Sequence, residues 1–223
     1  MSKAKSTLVL WLAVLAGCGG DAKESPAPQV APSYGQASSK LRPTPGRRLA
    51  EVASADAPLV VFLGDSLSAG LGLEEEEAFP ARVATLLAQQ GRPIRAVNAG
   101  VSGDTSAGGL ARLDWLLRQK PDVMVVELGA NDGLRGQPVD ATEANLRAIT
   151  ERSQAAGAKV LLVGIRVPPN YGPEYSRDFS AIFPRLARQL KVPLLPFLLE
   201  GVAGDPALNL ADGIHPTAAG HER

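Results

Sequence analysis

A single cysteine, Cys18, and two histidines, His215 and His221, leave this chain little room for metal or redox chemistry. One cysteine makes neither an intrachain disulfide framework nor a thiolate zinc cluster. Aromatic residues are only 4% of the total against 45% apolar overall, so the core must be built from aliphatic side chains. Neither sign of charge is in excess, 23 basic residues balancing 23 acidic ones. Without a basic patch or a lysine–arginine stripe, nucleic acid is excluded as a partner class. No internal repeat is present, and 223 residues suit one ordinary domain with terminal additions rather than two domains.

What is present begins with an export signature. Lys3 and Lys5 precede an apolar run, Leu8 to Ala16, that is too short to span a bilayer comfortably as a mature anchor. The run ends in Leu15-Ala16-Gly17-Cys18, which resembles the bacterial lipobox, where the cysteine becomes the lipidated first residue of the mature protein. That the only cysteine sits here favours lipidation over a plain secretory cleavage. Residues 1–18 are therefore expected to be a lipoprotein signal peptide with its lipobox cysteine, and acyl chains on Cys18 to hold the protein on a membrane surface. The expected location is the cell membrane or outer membrane, facing the periplasm or the outside. Over residues 19–57 the composition shifts to Pro, Ala, Ser, Gln and Gly, and Pro26, Pro28, Pro32, Pro43 and Pro45 break any regular element. This stretch reads as an extended tether. The folded domain is expected over residues 58–223.

That domain opens on Leu59-Val60-Val61-Phe62-Leu63, an apolar run leading into Gly64-Asp65-Ser66. The pattern is that of a parallel strand, buried on both faces, that delivers a serine to the sheet rim. Glu74 to Glu77 offer no mixed ligand set and read as a solvated face, not a metal site. Pro80 suits a first helical position, with Val83, Leu86 and Leu87 as the apolar stripe and Gly91 as terminator. Ile94 to Ala99 is a second predicted strand. Thr105 or Ser106 then caps a helix with Leu110, Leu113, Leu116 and Leu117 on one face, stopped by Pro121. Trp115 on that helix reads as packing. Val123 to Leu128 is the third strand, and Asp140 with Glu143 resembles a capping box for a helix to about Ala156. Lys159 to Ile165 is the fourth strand, Tyr175 to Leu190 a helix that Pro184 should kink or restart, and Val192 to Leu195 the fifth strand. Alternation of strand and helix predicts an α/β fold: a parallel sheet with helices on both faces and every strand's carboxyl end on one edge.

Chemistry-bearing residues gather at that edge. In Asp212-Gly213-Ile214-His215-Pro216 the aspartate lies three residues before the histidine, close enough to reach imidazole Nδ1 and leave Nε2 free. Pro216 keeps His215 out of helical geometry, placing the motif in a loop before a helix capped near Thr217. His215 can then serve Ser66 as a base. An acyl-transfer oxyanion also needs converging donors, and Gly103 offers a main-chain N–H at a flexible position while Asn131 offers a side-chain amide. Each of these residues alone is ordinary turn chemistry. His221 has no acid at the comparable preceding position and reads as a helix-surface residue.

Gly64-Asp65-Ser66-Leu67-Ser68, Gly103, Gly129-Ala130-Asn131-Asp132 and Asp212-Gly213-Ile214-His215 together resemble the four blocks of the SGNH (GDSL) hydrolases, from about Leu59 to Pro216. Val101 to Ser106, Glu127 to Gly136 and Pro169-Asn170-Tyr171-Gly172 are similar to the bacterial thioesterase I, arylesterase and lysophospholipase subgroup. The resemblance implies a flavodoxin-like three-layer sandwich with a five-stranded parallel sheet, and an esterase of broad acyl specificity without metal or organic cofactor. It implies Ser66, His215 and Asp212 as the catalytic residues, and an oxyanion hole from the amides of Ser66 and Gly103 with Asn131. Arg166 to Tyr171 would wall the acyl pocket. Members of the family carry the last helix beyond Gly220-His221-Glu222-Arg223, so an apolar helix face covering the sheet is expected to be missing, each lost buried side chain costing roughly 1.5–3 kcal/mol.

Three rival readings bear on this. An α/β-hydrolase shares the Ser, Asp, His order, but no Gly-x-Ser-x-Gly elbow surrounds Ser66. A nucleotide-binding flavodoxin-like module would need a phosphate-cradling glycine fingerprint that Gly100 to Gly109 lacks. A lipoprotein that only binds acyl or carbohydrate ligands is the alternative from a different class.

Overall fold

The computed structural model describes residues 53–167 and 171–223. The expected signal peptide, Cys18 and the tether as far as residue 52 lie outside the described residues, as do Pro168, Pro169 and Asn170 of the expected pocket wall. Five strands, β1 (Leu59–Gly64), β2 (Arg95–Gly100), β3 (Val123–Glu127), β4 (Lys159–Val163) and β5 (Leu194–Leu195), form one all-parallel sheet in the order β2-β1-β3-β4-β5. The helices are α1 (Ser66–Ala69), α2 (Phe79–Gln89), α3 (Ser106–Leu117), α4 (Ala130–Leu134), α5 (Val139–Ala155), α6 (Pro173–Leu190) and α7 (Ala218–Glu222).

Strand periodicity explains the layers. Successive side chains point to opposite faces, and β1 is buried along its whole length because both faces are covered. Val61 and Leu63, with Met124, Val126, Val160 and Leu162, join α3, α5 and α6 in the larger core. Phe179, Ile182, Phe183 and Leu186 supply one complete face of α6 to it, each worth roughly 1.5–3 kcal/mol of burial. Val60, Phe62, Ala96, Val125 and Val163 face the other way, toward Phe79, Val83, Ala84 and Leu87 around α2. On this second face an apolar groove of about 1030 Å³ lies open, bordered by Phe62, Val83, Leu86, Val125, Val163 and Leu198. Among the described residues no helix is long and apolar enough to cross a membrane.

The alternating pattern located every strand, and several helix details differ from expectation. Asp140 and Glu143 do not form a capping box: α5 starts at Val139 after Pro138, with no side-chain cap. Glu143 instead faces α6, where Arg185 Nε donates to its two carboxylate oxygens at 3.0 and 3.1 Å. Nor does Pro184 restart the helix; α6 continues through it, its buried face packed on both sides of that residue. Trp115 does not pack inward and is 51% exposed.

His221 is the clearest correction. Thr217 caps α7, its hydroxyl accepting from the Gly220 amide at 3.3 Å, and one turn on, His221 faces α2. The residue is 8% exposed. Its Nδ1 accepts the main-chain N–H of Phe79 at 3.0 Å, and its ring stacks on that of Phe79 with centroids 6.2 Å apart. Phe79 opens α2, so this N–H is one of the donors that no helical carbonyl reaches. The donor that His221 meets lies 142 residues away and leaves no trace in the spacing around the histidine.

Burial, with His215 and Arg82 nearby and Glu77 opposing, holds the His221 imidazole below its ordinary value. The folded state therefore prefers the neutral ring. The stabilisation is fully present above the unfolded value, 6.5, and is lost as pH falls through it toward the folded value. Urea midpoints should thus fall between about pH 8 and about pH 5. That fall should shrink in His221→Phe, and an unchanged pH dependence in the variant would remove His221 from the account.

Candidate active site

Ser66 follows β1 at the first position of α1, where Asp65 caps the helix by accepting the Leu67 N–H at 3.0 Å. The hydroxyl is thus held at the sheet edge, where the strand end was expected to deliver it, on the first turn of a helix. His215 Nε2 lies 2.8 Å from Ser66 Oγ, and His215 Nδ1 lies 2.7 Å from Asp212 Oδ2. The local turn builds the second contact: Asp212 Oδ1 accepts the amides of Ile214 and His215 at 2.9 and 3.0 Å, which aims Oδ2 at the ring. Those two amides, His215 first, and then the imidazole itself lower the Asp212 carboxyl to about 2. An ionised Asp212 favours the proton on Nδ1, which leaves Nε2 as an acceptor facing the Ser66 hydroxyl.

The other two predicted positions open on the same cleft. Gly103 lies in the loop after β2, and Asn131 in the first turn of α4 after β3. Both line, with Ser66 and His215, a cleft of about 670 Å³ whose remaining wall is mostly apolar, including Leu71, Leu134, Ile165, Val167 and Ile214. Arg166 and Val167 of the expected pocket wall belong to it. Tyr171 is instead tied back, donating its hydroxyl to the Leu134 carbonyl at 2.7 Å. Among the described residues the main-chain amides of Ser66 and Gly103 have no protein acceptor. Asn131 donates one amide hydrogen toward Asp65 Oδ2 at 3.3 Å, which leaves its second hydrogen for the cleft. Three donors and a paired serine–histidine thus share one apolar cleft, an arrangement suited to acyl transfer.

Residues 62–223 match the GDSL-like Lipase/Acylhydrolase family. The chain belongs to that family. It is 49% identical over 176 residues to the esterase TesA of Pseudomonas aeruginosa, covering 78% of this chain and 87% of that protein. It is 48% identical over 164 residues to the thioesterase 1/protease 1/lysophospholipase L1 of Escherichia coli K12, covering 73% and 77%. An arylesterase of Vibrio mimicus is 44% identical over 158 residues, covering 70% and 79%. A crystal structure of TesA superposes with a TM-score of 0.71 at 49% identity, covering 73% of this chain and 91% of that one. The α/β fold with five parallel strands flanked by helices is the one its SGNH family relatives share.

Behind the GDSL serine lies a buried carboxyl pair that the motif did not reveal. Glu127 ends β3 beside Gly64, and its Oε2 accepts the Ser68 hydroxyl at 2.7 Å and the Asp65 amide at 3.3 Å. Burial, and then the neighbouring Asp65 carboxylate, push Glu127 well up and favour its neutral form. Burial likewise raises Asp65 to about 6, against the opposing pull of the Leu67 amide and the Asn131 side chain. The available signal was a charged residue closing the otherwise apolar run Val123 to Val126. Asp132 is pinned similarly, accepting the Ser106 amide at 2.8 Å and the Thr142 hydroxyl at 3.2 Å.

Close packing also holds α1 in place. A Cβ on Gly100 would stand 2.3 Å from the Ala69 amide nitrogen and 2.8 Å from the Asp65 carbonyl oxygen, both backbone atoms flanking Ser66. Gly100→Ala should push α1 away from β2 and lower kcat by about 10- to 100-fold through misplacement of the serine. Kinetics on a p-nitrophenyl ester, beside a thermal melt, check this; full kcat in the variant would show that α1 adapts freely.

Proposed function

We propose that Ser66 is the nucleophile, His215 the general base and Asp212 the group that orients it, in a carboxylic ester hydrolase that works through an acyl-enzyme. The observation that carries these roles is the 2.8 Å contact between Ser66 Oγ and His215 Nε2. As Ser66 attacks the ester carbonyl, its proton passes to Nε2 and the imidazolium is stabilised by Asp212. Charge develops on the carbonyl oxygen, where the amides of Ser66 and Gly103 and the Asn131 side chain receive it. His215 returns the proton to the leaving alcohol or thiol. Water then attacks the acyl carbon, giving a proton to the same nitrogen; the bond to Ser66 Oγ breaks, the acid leaves, and Nε2 returns the proton to Ser66.

The apolar cleft accommodates an acyl chain, in keeping with relatives named as esterase, arylesterase and thioesterase/lysophospholipase. Leu15-Ala16-Gly17-Cys18 supports a lipid-anchored protein outside the cytoplasm. There, lipid and exogenous esters are the substrates within reach, and cytosolic acyl-thioesters are not. Radiolabelled palmitate should enter the wild-type protein and not Cys18→Ser; labelling of both alike would reject the anchor at this cysteine.

Ser66→Ala should abolish covalent labelling by a fluorophosphonate, and persistent labelling would place the nucleophile elsewhere. Asn131→Ala should lower kcat by about 10²–10³ with the fold intact, as loss of one oxyanion donor does. A folded variant with unchanged kcat would take Asn131 out of the reaction.

A further inference from the structure

One cation outside the proton chain ties the end of the strand before Ser66 to the loop that carries Gly103. We propose that Arg112 of α3 is a positioning residue that sets the spacing between the main-chain amides of Ser66 and Gly103, and hence the geometry of the oxyanion site; this rests on the esterase reading above. Its guanidinium bonds in three directions. Nη2 donates to the Gly64 carbonyl at 2.9 Å, Nη1 to the Ala99 carbonyl at 2.6 Å, and Nε to Asp104 Oδ2 at 2.7 Å.

These acceptors are the hinges of the site. Gly64 ends β1 two residues before Ser66, Ala99 lies near the end of the neighbouring β2, and Asp104 follows Gly103 directly. The Gly64 carbonyl also accepts the Val101 amide at 3.1 Å, and one rigid planar group joins the ends of two adjacent strands at once. The third arm reaches past the sheet and fastens the Gly103 loop to the same plane. From the other side, Arg135 Nη2 donates to the Gly103 carbonyl at 3.0 Å. The fold makes room for the clamp: a Cβ on Gly108 would stand 1.8 Å from Asp104 Oδ1. The side chains of Arg112 and Asp104 are 23% and 14% exposed, so water competes weakly for this pair. A lysine at position 112 would keep the charge and lose the fork, because a single ammonium cannot reach three acceptors spread in a plane.

The test compares the full chain as wild type, Arg112→Lys and Arg112→Ala on p-nitrophenyl butyrate, with kcat expressed per phosphonate-reactive site and a thermal melt for each. Arg112→Lys should lose about 10- to 100-fold in kcat with KM nearly unchanged, the pattern of misplaced transition-state donors and not of weakened substrate binding. Guanidinium ion, well below denaturing concentration, should restore part of kcat to Arg112→Ala and nothing to the wild type. Wild-type kcat in Arg112→Lys, a loss explained wholly by fewer reactive sites, or an Arg112→Ala enzyme indifferent to guanidinium would each overturn the clamp. Turnover by the wild type reports separately on the esterase reading, so an active wild type beside an equally active Arg112→Lys rejects the clamp alone.

Discussion

The parallel pairing of β1 with both β2 and β3 is the constraint on which everything else in this molecule rests. It sends three successive strand ends to one edge, and each releases a loop or helix start bearing a functional group: Ser66 after β1, Gly103 after β2, Asn131 after β3. The chain moves from β1 outward to β2 and then crosses back to β3, so β1 sits where the strand order reverses. A crevice at such a reversal is where open α/β sheets bind ligands, because the two flanking connections leave in opposite directions. The candidate active site therefore follows from topology before any side chain is considered.

Carboxyl groups around that crevice are handled in two opposite ways. Asp212 stays near solvent, and amides and an imidazole hold it ionised. Asp65 and Glu127 are buried, and burial raises both. Removing a charge from water is costly unless the group is neutralised or bonded, and the Ser68 hydroxyl and the Asp65 and Leu67 amides supply those bonds. The same bonds immobilise the turn that carries Ser66. Asp132 does the equivalent for α3 and α5, joining the Ser106 amide to the Thr142 hydroxyl beside Asn131. Buried polar groups here act as pins for the catalytic edge, while aliphatic packing holds the sheet and helices.

The two faces of the sheet are unequal. The face toward α3, α5 and α6 buries the large fully enclosed side chains, among them Phe179, Phe183, Leu113 and Ile149. The face toward α2 holds a smaller cluster beside an open groove. There His221 and the Arg82–Glu222 ion pair join α7 to α2, the His221 ring accepting a helix-start N–H and stacking on Phe79. This histidine, close after His215 in sequence, thus packs against α2 and not against Ser66.

By itself the sequence determined what depends on near neighbours. Apolar runs and their punctuation placed all five strands, most clearly β1, whose burial on both faces requires continuous apolar residues. Asp212 and His215 were legible as a pair because three residues is one turn's reach, and the Thr217 cap was legible for the same reason. Only the tertiary structure decided what depends on register and packing. The Ser66–His215 contact spans 149 positions, and the Glu127–Ser68 contact spans 59. Glu143 misled, since tertiary packing turned it to Arg185 rather than to its own helix start, and α6 runs on through Pro184 without restarting. Local spacing encodes local geometry; which distant groups meet is set when the sheet chooses its order and the helices their faces.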